Sequence, residues 1–121
     1  MPDISWAGFY LLKNKKLILG PFQGRVACVS IDIGKGVCGT AFQEQKTIVV
    51  PDVHKFPGHI ACDIRSNSEI VIPLIKNKRT LGVLDIDSTS YSRFTEEDRK
   101  MLESVASIVT EYCNLEDFVD C

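Results

Sequence analysis

Residues 69–75 and 81–87 are two alternating segments that constrain the fold of this chain more than any other part of the sequence. Both are rich in β-branched residues, and the polar residues 76–79 separate them. Short apolar segments on either side of a polar turn are typical of an antiparallel β-hairpin. Successive strand residues point to opposite faces, so one face of this hairpin is aliphatic. That face consists of Ile70, Ile72, Leu74, Leu84 and Ile86.

The opposite face of the predicted hairpin carries three acids. If Ile75 pairs with Leu81, then Glu69 lies opposite Asp87, and Asp85 lies two residues along on the same face. Like charges that face each other destabilise a sheet, so a cationic group or a shared proton is needed among them. The acids form either an ammonium-binding site or the solvent-exposed side of the sheet. Their face also carries apolar residues, namely Val71, Pro73 and Val83.

Further segments are predicted to be strands. Residues 6–12 are rich in aromatic residues, and a strand there places Trp6 and Tyr10 on one face. Residues 17–19 are predicted to form a second strand, which the following Gly-Pro pair is expected to end because proline cannot donate to a ladder. The remaining predicted strands are residues 26–31, which contain Cys28, and residues 48–50.

Two helices and one long loop complete the predicted elements. The short helix 37–45 has Cys38 near its N-terminus, where the helix dipole favours a thiolate. A capping-box sequence at Thr95 begins the second helix, which is expected to run to about residue 115. Residues 52–67 show no sustained period and are predicted to form a long functional loop. The apolar stripe of the second helix consists of Met101, Leu102, Val105, Ile108, Val109 and Tyr112.

Length and composition exclude several functional classes. The 121 residues are predicted to form one domain, residues 1–121, and the net charge of −2 makes nucleic acid an unexpected partner. No apolar run approaches membrane-spanning length and no secretory signal pattern is present, so no membrane association is expected. We therefore expect a cytoplasmic protein. Thiols remain reduced in the cytoplasm, so the five cysteines do not predict a structural disulfide framework.

Three cysteines, Cys28, Cys38 and Cys62, lie beside small residues within about thirty-five positions. Their loop-like surroundings favour thiol redox chemistry, although free cysteines are often only small buried hydrophobic residues. Zinc binding is a further alternative, in which His54 and His59 join Cys62 and one of the other two cysteines. It is disfavoured because the sequence has no Cys-x-x-Cys pair, and we expect no metal site.

A resemblance to a known family is carried by five segments: WAGFYLL, LGPFQGRVACVSIDIGKGVCGTA, VVPDVHKFPGHIACD, SEIVIPL and LGVLDIDS. They resemble the free methionine-R-sulfoxide reductases, which are small enzymes with the GAF fold. The resemblance implies an α+β fold with a six-stranded antiparallel sheet, flanked by helices and followed by a long C-terminal helix. Members of this family usually carry a further N-terminal helical segment, whereas this chain begins almost at the first strand.

The resemblance also implies distinct roles for the cysteines. Cys62 resembles the attacking thiolate, Cys28 the residue that resolves the intermediate, and Cys38 an accessory cysteine that exchanges disulfides. The implied reaction is reduction of free L-methionine-(R)-sulfoxide to L-methionine through a sulfenic acid and an intramolecular disulfide. No cofactor is expected, and a thioredoxin-like dithiol would reduce the enzyme again.

Aromatic and acidic residues complete the site that the resemblance implies. Trp6 and Tyr10 match an aromatic wall around the substrate methyl group. Glu69, Asp85 and Asp87 match substrate-site carboxylates, of which Asp87 or Glu69 is best placed to protonate the sulfoxide oxygen. The alternatives are a ligand-binding GAF module without catalysis and a thiol-based oxidant sensor. Because one helix covers only part of a six-stranded sheet, we also expect that a second copy buries the remaining apolar surface in a homodimer, or that the chain is marginally stable.

Overall fold

A computed structural model describes residues 3–24, 28–58 and 65–115 of the chain. These residues form six strands, two α-helices and one short 3₁₀ turn at Val53–Lys55. The strands and helices are β1 (Ile4–Lys13), β2 (Lys16–Gln23), β3 (Ser30–Asp32), α1 (Gly36–Glu44), β4 (Ile48–Val50), β5 (Ser68–Lys76), β6 (Arg79–Ser88) and α2 (Glu96–Tyr112).

All six strands belong to one antiparallel sheet with the order β3-β2-β1-β6-β5-β4. The hairpins β1–β2 and β5–β6 each turn through two residues, Asn14-Lys15 and Asn77-Lys78, and all four have positive φ. Positive φ at both central positions matches the twist of the flanking strands. The pairing of β1 with β6 joins the two hairpins into one sheet, which confirms the predicted α+β fold.

The pairing of β5 with β6 confirms the predicted register where it carries the acids, with Glu69 opposite Asp87. Near the turn the register shifts by one residue, so Ile75 pairs with Thr80 and the predicted pairing with Leu81 was wrong. The shift is a β-bulge. The bulge is needed because the register set by the two-residue turn differs by one residue from the register that pairs Glu69 with Asp87.

β2 continues through Pro21, so the expected end of this strand was wrong. The register with β1 shifts at this point, since Tyr10 pairs with Leu19 whereas Gly8 pairs with Phe22. Proline is tolerated at such bulges and at strand edges. In the described residues β3 pairs only with the first part of β2, so the proline also lies beyond the β3 ladder. The continuation brings Phe22 alongside β1.

β3 consists of Ser30–Asp32 and is shorter than the strand predicted at residues 26–31. Cys28 precedes it, so the prediction that Cys28 lies within a strand was wrong. The amide of Leu19 donates to the carbonyl of Val29 at 2.9 Å, and this bond holds the segment before β3 beside β2. α1 and β4 lie where the sequence predicted them.

The two faces of the sheet carry separate clusters of buried side chains. On one side, which we call the aliphatic face, the predicted residues of β5 and β6 pack against Leu102 and Ala106 of α2. The opposite side, which we call the site face, packs against α1. Its cluster includes Trp6, Tyr10, Cys38, Ala41, Val71 and Val83. The alternation of the strands therefore separates the two clusters as predicted.

α2 begins with the predicted capping box. The amide of Asp98 donates to the hydroxyl of Thr95 at 3.2 Å, and the amide of Thr95 donates to the Asp98 carboxylate at 2.9 Å. These bonds satisfy backbone donors that the first turn of a helix leaves open. The helix ends at Tyr112, three residues before the predicted end.

The apolar stripe predicted on α2 is divided between the sheet and the surface. The helix meets the sheet along the ridge of Leu102, Ala106 and Thr110, which are four residues apart and buried. The apolar stripe of α2 is wider than this ridge, so part of it faces away from the sheet. The exposed apolar residues are Met101, Val105, Ile108 and Tyr112. Within the described ranges, neither helix has the length and apolar character needed to span a membrane.

Candidate active site

An aromatic stack on β1 and β2 forms one wall of the site face. The rings of Trp6 and Tyr10 have centroids 5.9 Å apart, and Phe22 stacks on Trp6 at 5.7 Å. Gly8 lies between Trp6 and Tyr10 on the strand, and a Cβ there would come within 2.5 Å of Cη2 of Trp6. The lack of a side chain at Gly8 therefore leaves room for the indole ring.

Phe22 and Gly8 were not among the predicted site residues. Phe22 was missed because β2 was expected to end before it, although an aromatic residue directly after the Gly-Pro pair was a signal of continued pairing. Gly8 lies between Trp6 and Tyr10 on the face that strand alternation predicts for all three, but it was given no role. Sequence alternation identifies a face, whereas the close approach of a ring is visible only in the folded chain.

The three carboxylates lie on β5 and β6 beside the aromatic stack. Asp87 pairs with Trp6 of β1 on one side and with Glu69 of β5 on the other. Asp85 lies next on the same face, opposite Gly8. Glu69 and Asp85 are each only 6% exposed, so the alternative of a solvent-exposed face was wrong. The structure thus brings together the predicted acids and the predicted aromatic wall.

Burial and mutual repulsion favour protons on this acid cluster. Burial raises the pKa of Glu69 well above its ordinary value, and the negative charge of Asp87 raises it further. Burial also raises the pKa of Asp85, and the charge of Glu69 adds to the effect. The raised pKa values indicate proton sharing, which was one of the two arrangements that the sequence required. They also favour the protonated form of these acids, which is the form that can donate a proton.

Within the part of the chain that the structure describes, Nε1 of Trp6 and Oδ1 of Asp85 are buried on the site face without a hydrogen-bond partner. Nearly all buried polar groups in native proteins have a partner, so an unsatisfied pair needs an explanation. One donor and one acceptor on the site face are therefore available to the polar groups of a ligand.

α1 places Cys38 against the acid cluster. It is the third residue of the helix, its side chain is buried, and its thiol is free. Burial raises the pKa of Cys38 well above its ordinary value, and the charges of Asp85 and Glu69 raise it further. The prediction that the helix N-terminus favours a Cys38 thiolate was therefore wrong, because burial and two nearby carboxylates outweigh the helix dipole.

Cys28 lies at the edge of the site and is disulfide-bonded. The hydroxyl of Tyr10 donates to the backbone carbonyl of Cys28 at 2.9 Å. Burial, followed by the charges of Asp85 and Cys38, raises the pKa of Tyr10, so this hydroxyl keeps the proton that it donates. The aromatic wall therefore also holds the backbone that carries Cys28. Among the described cysteines, Cys38 and Cys113 are free thiols.

Two predicted candidates, Cys62 and His59, lie outside the described residues. His54 is exposed in the 3₁₀ turn, where its Nε2 lies 3.2 Å from Oδ1 of Asn67 and its amide donates to the carboxylate of Asp52. These contacts give His54 a role in shaping the loop. Within the described ranges no group of metal-ligating side chains includes His54, so its part in the zinc alternative gains no support.

A different group of potential ligands is present on the site face. One ligand atom each from Cys38, Glu69 and Asp85 all lie within 4.8 Å of one another, and the three side chains are buried. The sequence did not predict this group because its members come from α1, β5 and β6. No spacing pattern connects them, and only the packing of α1 on the sheet brings the thiol to the acids.

Comparison with known proteins places these features in a family. The family model of the GAF domain matches residues 2–111. Free methionine-R-sulfoxide reductase from Escherichia coli is 55% identical over 107 residues, which cover 88% of this chain and 65% of the relative. The enzyme of that name from Saccharomyces cerevisiae is 53% identical over 115 residues, which cover 92% of this chain and 64% of the relative. The chain therefore spans less than two thirds of the length of these curated relatives.

A solved structure shows the same relationship in three dimensions. Free methionine-R-sulfoxide reductase from Neisseria meningitidis, in complex with its substrate, has a TM-score of 0.90 and 43% sequence identity to this chain. The match covers 95% of this chain and 70% of that one. The fold and the family model show that the chain belongs to the GAF domain family. Within that family it falls in the group that includes the free methionine-R-sulfoxide reductases.

Proposed function

We propose that this protein reduces free L-methionine-(R)-sulfoxide to L-methionine. The observation that carries the proposal is the acid cluster of the buried Glu69 and Asp85 and the partly buried Asp87, beside the stacked Trp6 and Tyr10. The substrate has an ammonium group that suits the acids and a methyl group that suits the aromatic wall. The shared substrate named for the relatives from three organisms supports the same assignment.

Cys62 is the proposed nucleophile. Its thiolate attacks the sulfoxide sulfur, and the oxygen passes from the substrate sulfur to Cys62. The substrate sulfur gains two electrons and leaves as methionine, while the thiol loses two electrons and becomes a sulfenic acid. No metal or organic cofactor enters this step.

Glu69 is the proposed proton donor for the sulfoxide oxygen, with Asp87 as the alternative. Negative charge builds on that oxygen as the thiolate attacks, and a positioned acid stabilises it. The raised pKa of Glu69 favours its protonated form, which supports Glu69 for this role. Asp87 pairs with Glu69 across the two strands, so the two side chains reach the same part of the site.

Cys28 is the proposed resolving cysteine. Its thiol condenses with the Cys62 sulfenic acid, which forms a disulfide and releases water. The disulfide-bonded state of Cys28 supports this role. Cys38 then takes over the disulfide by exchange, and a thioredoxin-like dithiol reduces the enzyme. The raised pKa of Cys38 makes the uncatalysed exchange slow, because the thiolate is the reactive form.

Selectivity for the free amino acid follows from the charge of the acid cluster. A free amino acid brings an α-ammonium group. Its positive charge can offset the repulsion among the carboxylates in place of a proton that they share. A methionine sulfoxide residue within a peptide lacks this group and leaves the buried acids without a cation. Sites built for a polar or charged group reject analogues without it by large factors. We therefore expect N-acetyl-methionine-(R)-sulfoxide to be a very poor substrate.

The test is to incubate the protein with each diastereomer of free methionine sulfoxide and dithiothreitol, and to measure methionine. We expect product from the R form only. In single-turnover assays Cys62→Ser should form no methionine, whereas Cys28→Ser should form about one per chain and then stall. Cys113→Ser, which removes an exposed free thiol, is the matched control and should behave like the parent protein.

Other results would assign other roles. Product formation by Cys62→Ser together with its loss in Cys28→Ser would contradict the nucleophile assignment. Rapid oxidation of the thiols by peroxide with no methionine from either diastereomer would indicate an oxidant sensor. Binding of the sulfoxide without turnover would indicate a ligand-binding GAF module.

The proposed function also implies a cellular setting. We propose the cytoplasm, where thioredoxin-like dithiols keep the cysteines reduced between turnovers. We also propose a homodimer, because α2 exposes Met101, Val105, Ile108 and Tyr112 along one stripe. Contiguous exposed apolar surface of this kind often marks an interaction site. Light scattering that shows a stable monomer at high concentration would contradict the dimer.

A further inference from the structure

The site face brings a thiol and two carboxylates into a geometry that suits a metal ion. We propose that Cys38, Glu69 and Asp85 bind a thiophilic divalent cation of the Zn²⁺ class, and that this cation excludes the ammonium group of the substrate. The second part rests on the proposed reductase function. The cation is then a competitive inhibitor and is not a cofactor of the reaction.

The distances among the three side chains carry the first part. Their ligand atoms all lie within 4.8 Å of one another. Neighbouring donor atoms around a tetrahedral zinc ion are about 3.3–3.8 Å apart, given zinc–ligand bonds of about 2.0–2.3 Å. Small side-chain movements therefore bring the three donors into coordination. Three protein ligands leave the fourth position for water.

The chemistry of the donors selects the class of cation. Thiolate favours softer ions such as Zn²⁺ and Cd²⁺, whereas Mg²⁺ and Ca²⁺ favour sites made only of oxygen ligands. On binding, the cation takes the place of the Cys38 thiol proton and of the proton that the carboxyls share, and these protons leave to solvent. Its two positive charges offset most of the negative charge of the thiolate and the two carboxylates, which repel one another when ionised.

An unsatisfied acceptor at the same position supports the site independently of the distances. Oδ1 of Asp85 is buried and has no hydrogen-bond partner in the described part of the chain. An acceptor-only oxygen of this kind suits a cation. The same oxygen is available to the substrate ammonium group, so cation and substrate would compete for it.

The experiment uses Cd²⁺ as the probe, because its bond to a thiolate gives a charge-transfer absorption in the ultraviolet. The 121-residue protein is prepared in its disulfide form without thiol reductants, in a Cys113→Ser and Cys121→Ser background that removes these two further cysteines. Titration should give a saturable absorption with about one Cd²⁺ per chain. The absorption should be absent in Cys38→Ser.

Two isosteric variants test the carboxylates. Glu69→Gln and Asp85→Asn should each weaken Cd²⁺ binding at least about tenfold, since even the loss of a residue that hydrogen-bonds to a metal ligand has that effect. Glu97→Gln, which removes an exposed acid on α2, is the control and should bind as the parent does. Near-ultraviolet circular dichroism confirms that each variant is folded. Absorption that persists in Cys38→Ser would overturn the metal site. The same conclusion would follow if both carboxylate variants bound Cd²⁺ with the affinity of the parent protein.

Competition tests the second part. Free methionine-(R)-sulfoxide should raise the Cd²⁺ concentration needed for half-saturation in proportion to its own concentration. Simultaneous binding of both would overturn the proposed exclusion while leaving the metal site in place. If the metal-free protein neither binds nor reduces the sulfoxide, the proposed reductase function fails, and the Cd²⁺ absorption still decides the metal site by itself.

Discussion

On the aliphatic face of β5 and β6, alternate residues are isoleucine and leucine and pack against α2. On the site face, the intervening residues of the same two strands are Glu69, Val71, Val83, Asp85 and Asp87. The backbone pairing is identical for both sets, because one hairpin supplies them. The aliphatic face stabilises the fold at about 1.5–3 kcal/mol for each large side chain fully buried. The site face instead buries carboxyl groups, which opposes folding unless protons or cations neutralise them.

This difference shows how a small sheet can remain stable although its binding site buries carboxyl groups that oppose folding. Strand alternation lets every second residue contribute to a core, while its neighbours hold groups that would not stay buried on their own. The unfavourable burial of the carboxyl groups is tolerated because the opposite face holds the strands in register. Substitutions on the site face should therefore mainly reduce activity, whereas substitutions on the aliphatic face should mainly reduce stability.

Asp85→Asn should have the largest effect on activity. We expect kcat/KM for free methionine-(R)-sulfoxide to fall about 100-fold, the scale associated with losing one partner of a buried charge pair. The free energy of unfolding at pH 7 should not fall, because asparagine is neutral without needing a proton. Steady-state kinetics and urea unfolding check the two halves. A large loss of stability with unchanged kcat/KM would show that the two faces do not differ in this way.

Ile70→Ala should have the largest effect on stability. Ile70 is completely buried on the aliphatic face, and removing a buried isoleucine typically costs about 2–5 kcal/mol. Its neighbours on the site face keep their positions in the register, so kcat/KM at a temperature where the variant is folded should stay within about twofold of the parent. Urea unfolding and steady-state kinetics provide the measurements. A drop in kcat/KM of the size expected for Asp85→Asn would mean that the faces are coupled.

The pH dependence of stability should come from the site face. The pKa values of Glu69 and Asp85 are raised from ordinary values of 4.5 and 3.8, so above these values the folded chain holds protons that the unfolded chain has released. Stability is therefore complete below the ordinary values and is lost as pH rises through the raised ones. The slope is about 1.4 kcal/mol per pH unit for each carboxyl that stays protonated only in the folded state.

Urea unfolding between pH 4 and 8 measures this slope. Asp85→Asn should reduce it, because one of the two titrating groups is gone. Ile70→Val is the matched control, since it should lower stability by a similar amount at every pH and leave the slope unchanged. Stability that rises with pH over this range would contradict the raised pKa values.

Thr95→Ala tests the helix that covers the aliphatic face and should have the smallest effect. The variant loses the hydroxyl that accepts from the Asp98 amide, and the loss of such a cap costs about 1 kcal/mol. Thr95→Ser keeps the hydroxyl and serves as the control. Thermal unfolding measures both, and activity should be unchanged in each. An equal loss of stability in the serine variant would show that the cap is not the cause.

Local patterns in the sequence determined much of the fold and of the site. Strand alternation placed Glu69, Asp85 and Asp87 on one face of a hairpin. It also placed Trp6 and Tyr10 on one face of a further strand, and a capping box located the start of α2. These features depend on neighbours within a few residues or on one hairpin, so the sequence contains the information that they need. The resemblance to a known family supplied the roles of the cysteines and the six-stranded sheet.

Only the tertiary structure decided which of these elements meet. The packing of α1 on the sheet buries Cys38 against the acids, and this burial reverses the effect expected from the helix dipole. The pairing of β2 beyond Pro21 brings Phe22 onto Trp6, and the contact of α2 with β5 leaves Ile108 exposed. Desolvation and contact between distant segments depend on how the elements pack, and no local pattern in the sequence contains that information.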